Sequence, residues 1–287
     1  MIMKKIKLIA IDIGGTLLQN SNEISFKDIE TLRKVQSEGI KVSLITARMY
    51  SSTKYISNVI NADYGIFGNG SVVMNLKNLD TLNFSCLQKN DVEKLIAFAK
   101  KNNLYIHISR LLWEFSDMDD FFVKKHNLLN LRYPDELKSN VLMVDDLNGY
   151  CKNIDDIVKV IFVSENKMDA VEKQIKEEFP NLYITEHNKN LYEDAIGKTI
   201  NYIEVGVNKK NKADGLKVLT KSLNLKSDEV LVIGDGDNDV EMFRMFENSG
   251  CMNNGSELAK SNAKYISFAN NNESGVSEII NYYLKED

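Results

Sequence analysis

The chain has 287 residues, 43% of them hydrophobic and 27% charged, which is enough apolar material for one large or two modest soluble domains. Its formal net charge of −5 excludes a bulk basic field that would draw it onto nucleic acid or an anionic membrane, so neither is expected as a partner. Three scattered cysteines, Cys86, Cys151 and Cys251, lack zinc or redox spacing. The apolar run Leu8 to Ile11 is too short for a signal core, and no later segment approaches the ~18 apolar residues of a membrane span. These features predict a cytoplasmic protein and leave its oligomeric state open.

In chain order, Leu8 to Ile11 reads as a strand buried on both faces, because it lacks polar alternation. Ser25 to Asp28 forms a capping box ahead of a helix with Ile29, Leu32 and Val35 on one face and Gly39 as its stop. Val42 to Ile45 is a second strand, and Ile56, Val59 and Ile60 mark a helix. Tyr64 to Phe67 is a third strand, whose Gly68-Asn69-Gly70-Ser71 turn leads into a hairpin. From about Cys86 the texture changes: Asn90 is expected to cap a helix carrying Val92, Leu95, Ile96 and Ala99, and a strand follows at Leu104 to Ile108. Trp113 to Asn153 reads as irregular. A further set is predicted at Val158 to Val163, Met168 to Phe179 and Leu182 to Thr185. The first sheet is expected to resume at Ile203, followed by a helix with Leu216, Leu219 and Leu223 and a buried strand at Val230 to Ile233. Alternating strands and helices around a one-sided block predict an α/β fold. Its core is a Rossmann-like doubly wound parallel sheet, residues 1–83 and 207–287, interrupted by an inserted α+β domain at 84–206.

Four sites of chemical interest fall at predicted strand ends or helix starts. Asp12 opens Asp12-Ile13-Gly14-Gly15-Thr16 after the first strand. Thr46 and Ala47 follow the second. Lys212 starts a helix. Asp235, Asn238 and Asp239 lie in a Gly-rich turn after the strand at Val230. In a doubly wound sheet the carboxyl ends of strands face the ligand crevice. A carboxylate attacking a phosphate dianion needs a cation and a lysine to offset repulsion, and Mg²⁺ suits carboxylates on adjacent strand ends.

This order resembles the haloacid dehalogenase-like phosphohydrolases, specifically the Cof-type subfamily with a large α/β cap. The similarity covers Asp12 to Leu17, Thr46 to Arg48, Asn69-Gly70, Lys212, Gly234 to Met242, Asn254 and Gly275-Val276. It implies that Asp12 is the nucleophile and that Lys212, Thr46, Ala47 and Asn238 bind the transferring phosphoryl group. Asp12, the Gly14 carbonyl, Asp235 and Asp239 would hold Mg²⁺, and the substrate would be a small phosphorylated metabolite such as a sugar phosphate. Asn69 and Asn254 serve the site or its turns, and Asp237 reads as a helix N-cap.

Two positions depart from the family pattern. Ala47 replaces a glycine but retains its backbone amide. Gly14 replaces the aspartate that protonates the leaving oxygen and later activates water, which implies impaired or unusual turnover. A low-turnover phospholigand-binding protein of the same fold is one alternative. An actin-like-fold sugar kinase is the other, since Asp12 to Thr16 alone fits its phosphate loop, but that fold needs a second Gly-Thr-rich loop, and Gly15-Thr16 is the only such pair. Arg110, Trp113 and Arg132 are candidate cap contacts to a substrate body. His107, His126 and His187 have no metal-ligand spacing, and Lys209 and Lys210 read as solvated loop residues.

Overall fold

The computed structural model describes residues 6–119, 121–185, 191–193, 199–207 and 211–284. His187, Lys209 and Lys210 lie outside the described residues. The chain divides into two compact units, one of Met1–Arg48, Ile56–Phe84 and Asn211–Asp287, the other of Met49–Tyr55 and Ser85–Lys210. The strands of the first unit before the insertion are β1 (Leu8–Asp12), β2 (Lys41–Ile45), β3 (Tyr64–Phe67), β4 (Val72–Asn75) and β5 (Thr81–Phe84). Those of the second unit are β6 (Tyr105–Ser109), β7 (Glu114–Ser116), β8 (Val141–Met143), β9 (Lys159–Ser164), β10 (Leu182–Ile184), β11 (Leu191–Glu193) and β12 (Thr199–Val207). The chain then returns to the first unit with β13 (Val230–Gly234), β14 (Asn248–Cys251) and β15 (Tyr265–Ile266).

The first sheet has the order β15-β14-β13-β1-β2-β3-β4-β5. It is parallel from β15 to β3 and ends in the antiparallel hairpin expected after Gly70. All five residues of β1 are buried, because both faces are covered. Ile9 and Ile11 pack with Leu32, Val35, Val276 and Ile279 on one side, and Leu8 and Ala10 with Leu216, Leu219 and Phe243 on the other. Strand order runs outward in both directions from the β1/β13 pair, so the crevice at their carboxyl ends is the ligand position such a sheet provides. At Ser25 the expected cap is present, its hydroxyl accepting from the Asp28 amide at 3.0 Å. Asp28 is itself buried and accepts from the amide and hydroxyl of Ser277, which ties the first helix of the unit to its last.

The second unit has the sheet order β10-β12-β9-β6-β7-β8, with β11 paired to β12. Three expectations are corrected here. The helix at Lys89–Lys101 begins before Asn90, with Gln88 as its N-cap, because the Gln88 carbonyl already accepts from Asp91 and Val92. Trp113 to Asn153 is not wholly irregular: it holds β7, β8 and helices at Phe121–Asn130 and Leu147–Cys151, of which all but the first helix are too short for periodicity to announce. Ile203 does not resume the first sheet but lies in β12, paired with β9. Its strand buries Ile203 and Val205 in the apolar cluster of this unit while Tyr202 and Glu204 face the other way, the alternation of a one-sided antiparallel sheet. Met49–Tyr55, placed by sequence with the first block, clusters with the second unit.

Within this second unit Glu114 is buried, accepting from Ser51 Oγ at 3.2 Å and from Ser109 Oγ. Burial pushes its carboxyl above the ordinary glutamate range against the pull of Lys159 and Ser109. The stability contributed by protonated Glu114 is present below the unfolded pKa and is lost as pH rises through the raised folded value. Glu114→Gln has no such loss, so its melting temperature should gain on the wild type as pH rises above about 4, the ordinary glutamate value. A difference in melting temperature that stays flat with pH would contradict this.

Candidate functional site

The register of the first sheet brings the separated motifs to one end. Asp12 is level with Ile45, so Thr46 follows beside it. Ile11 is level with Ile233, so Asp235 follows β13 on the other side. Lys212 is the first residue of the helix Lys212–Ser222, which is capped by Asn211 accepting from the Asp214 amide at 2.9 Å. A cation at a helix N-terminus runs against the macrodipole, and this one is only 1% exposed. Two carboxylates account for it: Lys212 Nζ donates to Asp12 Oδ1 at 2.5 Å and to Asp239 Oδ1 at 2.7 Å. Asp239 is fully buried, and its second oxygen accepts from the amides of Asp235 and Gly236 at 3.0 and 2.9 Å.

Asp235 completes a cluster in which oxygens of Asp12, Asp235 and Asp239 all lie within 4.8 Å of one another. Thr16 Oγ1 donates to Asp235 Oδ1 at 2.5 Å. Gly15 has φ +79°, and a Cβ there would collide with the Asp235 carboxylate, so glycine is required on both conformational and steric grounds. Three carboxylates against one ammonium leave the cluster short of positive charge. Burial raises the Asp12 carboxyl, against the pull of Lys212. Burial and the charge of Asp12 push Asp235 up to about 8. Burial alone would lower Lys212, but Asp12 and Asp239 outweigh it and hold the ammonium above the ordinary lysine range. An excess of anionic oxygen with raised carboxyl pKa values is the chemistry that a hard divalent cation satisfies, so the residues present fit Mg²⁺.

Around this cluster, Thr46 is buried, its hydroxyl accepting from the Arg48 amide at 3.1 Å and its carbonyl from the Asn69 amide at 3.1 Å. Asn69 adopts φ +53°, and its Oδ1 is buried without a hydrogen-bond partner among the described residues. Ala47 is half-buried beside Thr46, and Asn238 is exposed in the turn Asp237–Asp239. Asp237 is not the N-cap of that turn, which is Gly236; its carboxylate accepts from Ser256 Oγ at 2.5 Å. Asn254 donates to the Gly15 carbonyl at 2.8 Å, which fixes the loop after Asp12. Gly14 makes a bridge to Leu18, and its φ lies outside the left-handed region.

The three candidates in the second unit have other neighbours. Arg110 forms a two-pronged pair with Asp156, at 2.5 and 2.8 Å. Trp113 stacks on Phe115 with ring centroids 6.4 Å apart, and Arg132 is exposed. Two residues at the cluster were not singled out from sequence. Thr16 stood inside the first motif, and its hydroxyl was the available signal. Arg48 stood at the end of the second motif, and its relation to Gly14 needed the fold.

The profile of a family described as haloacid dehalogenase-like hydrolase matches residues 9–280. An Escherichia coli (strain K12) protein, 5-amino-6-(5-phospho-D-ribitylamino)uracil phosphatase, is 26% identical over 290 residues, covering 98% of this chain and 97% of that protein. A solved haloacid dehalogenase-like hydrolase from Bacteroides thetaiotaomicron is similar in structure with a TM-score of 0.83 at 24% identity, covering 97% of this chain and 99% of its own. A solved sugar phosphatase of HAD subclass IIB gives a TM-score of 0.75 at 19% identity, covering 96% and 98%. At these identities the two structures bear on the fold alone.

Proposed function

The chain belongs to the haloacid dehalogenase-like hydrolases and is a phosphatase, and on that footing we propose that it is Mg²⁺-dependent and acts on a small phosphorylated metabolite through an aspartyl-phosphate on Asp12. The observation that carries this is the meeting of Asp12, Lys212, Asp235 and Asp239, from three separate stretches of chain, at the β1/β13 switch point. We assign Asp12 and Asp235, with the Gly14 carbonyl, as the groups that would hold Mg²⁺. Asp239, whose oxygens already engage Lys212 and two amides, adds charge and orients the lysine. The ion when bound supplies positive charge against the transferring phosphoryl group.

In the first step an oxygen of Asp12 bonds to phosphorus, the bond to the leaving oxygen breaks, and that oxygen keeps the electron pair. Lys212 offsets charge on the phosphoryl oxygens, and the Thr46 hydroxyl with the amides that follow holds the spectator oxygens. In the second step water attacks the aspartyl-phosphate and inorganic phosphate departs. No side chain at position 14 delivers a proton to the leaving oxygen or takes one from the water. The second unit is assigned as the substrate-selecting cap, an insertion of about residues 84–206. For location, no helix among the described residues is long and apolar enough to cross a membrane. The three free cysteines fit the reducing cytoplasm we assign.

Mixing the protein with p-nitrophenyl phosphate and Mg²⁺ should release nitrophenolate in a burst close to one per chain, with a phosphoryl group recoverable on Asp12 by acid quench and peptide mapping. Absence of any Mg²⁺-dependent release, or a phosphoryl group on another residue, would overturn the assignment. Phospholigand binding with little turnover is the alternative that Gly14 favours. It requires that the burst is followed by no steady-state release.

A further inference from the structure

Position 14 is open, and what stands beside it is a cation. Among the described residues beyond its chain neighbours, an ideal Cβ built on Gly14 would meet only Nη2 of Arg48 within 4 Å, at 3.9 Å. Arg48 reaches there because its backbone is anchored two residues beyond Thr46, donating its amide to the Thr46 hydroxyl and accepting from the Gly68 amide at 3.1 Å. Arg48 is half-buried, and its guanidinium has no hydrogen-bond or ion-pair partner among the described residues. An aspartate at 14 would extend its carboxylate into ion-pair reach of that guanidinium and occupy it. With glycine there, the fork of N–H groups has no partner among the described residues beside the loop that follows Asp12.

An arginine cannot replace a general acid, since its guanidinium does not lose a proton at neutral pH. It can receive an oxyanion in a charge-assisted, two-pronged geometry that lysine does not reproduce. Resting on Asp12 as the attacking group, we propose that Arg48 receives the leaving group, and that the substrate is a phosphoryl donor whose leaving group is itself a two-oxygen anion: an acyl phosphate or a phosphoanhydride. In that reaction the Asp12–phosphorus bond forms, the bridging P–O bond breaks, and the electron pair goes to the departing carboxylate or phosphate, which leaves without a proton. An alkoxide from a sugar phosphate would need the proton that position 14 no longer supplies. The missing acid and the free guanidinium thus select the same chemistry.

The test is a set of kcat/KM values with Mg²⁺ for acetyl phosphate, inorganic pyrophosphate, p-nitrophenyl phosphate and glucose 6-phosphate. The wild type should prefer acetyl phosphate or pyrophosphate over the other two, and which of these leads identifies the carboxylate or the phosphate as the natural leaving group. Arg48→Ala should cut the preference for that substrate over p-nitrophenyl phosphate by about 10- to 100-fold, the range of a charged hydrogen-bonded contact, with Arg48→Lys in between. Gly14→Asp, which pairs the guanidinium, should lower the same ratio without removing Arg48. Equal losses on all four substrates, or a wild-type preference for glucose 6-phosphate, would overturn the proposal. If p-nitrophenyl phosphate still phosphorylates Asp12 in that case, the Arg48 assignment alone fails. If no substrate does, the phosphatase mechanism and this inference fail together.

Discussion

Gly14→Asp should raise turnover of glucose 6-phosphate by about 10²- to 10⁴-fold, the usual contribution of a positioned acid/base group. The backbone permits the change: φ at position 14 lies outside the left-handed region, and among the described residues beyond its chain neighbours a Cβ there meets only Arg48 within 4 Å. The neighbour on that side, Arg48, would hold the new carboxylate in place as an ion pair. Two steps should gain at once. Protonation of the alkoxide speeds formation of the aspartyl-phosphate, and base assistance to water speeds its breakdown, so the burst seen with p-nitrophenyl phosphate should give way to steady release. Stability should change little, because the site is a loop with room. Equal rates for wild type and variant on glucose 6-phosphate would show that another group supplies the proton, or that the leaving group never needs one.

The parts of this fold that were legible in sequence share one physical cause. β1, β2, β3 and β13 are buried on both faces, and such strands appear as uninterrupted apolar runs, which is how Leu8–Asp12 and Val230–Gly234 were found within a residue of their ends. The Ser25 cap was legible because it is local. β12 was misassigned because Ile203 and Val205 are apolar in either sheet, and only pairing with β9 decides between them. The same distinction runs through the site. Each carboxylate could be named from its motif, yet nothing in the chain said that Asp239 spends both oxygens on Lys212 and two amides. That Thr16 reaches Asp235 across 219 residues, or that the Arg48 guanidinium faces the space above Gly14, depends on strand order. Periodicity does not encode it.

Lys212→Met should be the most destabilising single change at the site, and the loss should depend on the metal. Methionine matches the length and much of the volume of the lysine stem, so packing is largely kept while the charge is removed. Asp12 and Asp239, 6% and 0% exposed, then lie buried against Asp235 with no cation among them. Breaking a buried pair by deleting one partner costs about 3–5 kcal/mol, a large share of a typical domain's stability of about 5–15 kcal/mol. In metal-free buffer the variant should therefore melt well below the wild type. Mg²⁺ binds only the folded site and restores positive charge to it, so its stabilising increment should be larger in Lys212→Met than in wild type. Asp12→Asn is the matched control: it removes a carboxylate and leaves Lys212 paired with Asp239, so its melting temperature should fall less than that of Lys212→Met. Its turnover should nonetheless vanish with the nucleophile, by a factor on the order of 10⁴ to 10⁶. The two variants separate what the lysine does for folding from what the aspartate does for chemistry. Should Lys212→Met melt with the wild type in metal-free buffer, the buried ion pairs are not what holds this cluster together, and the charge balance offered for Mg²⁺ would fall with them.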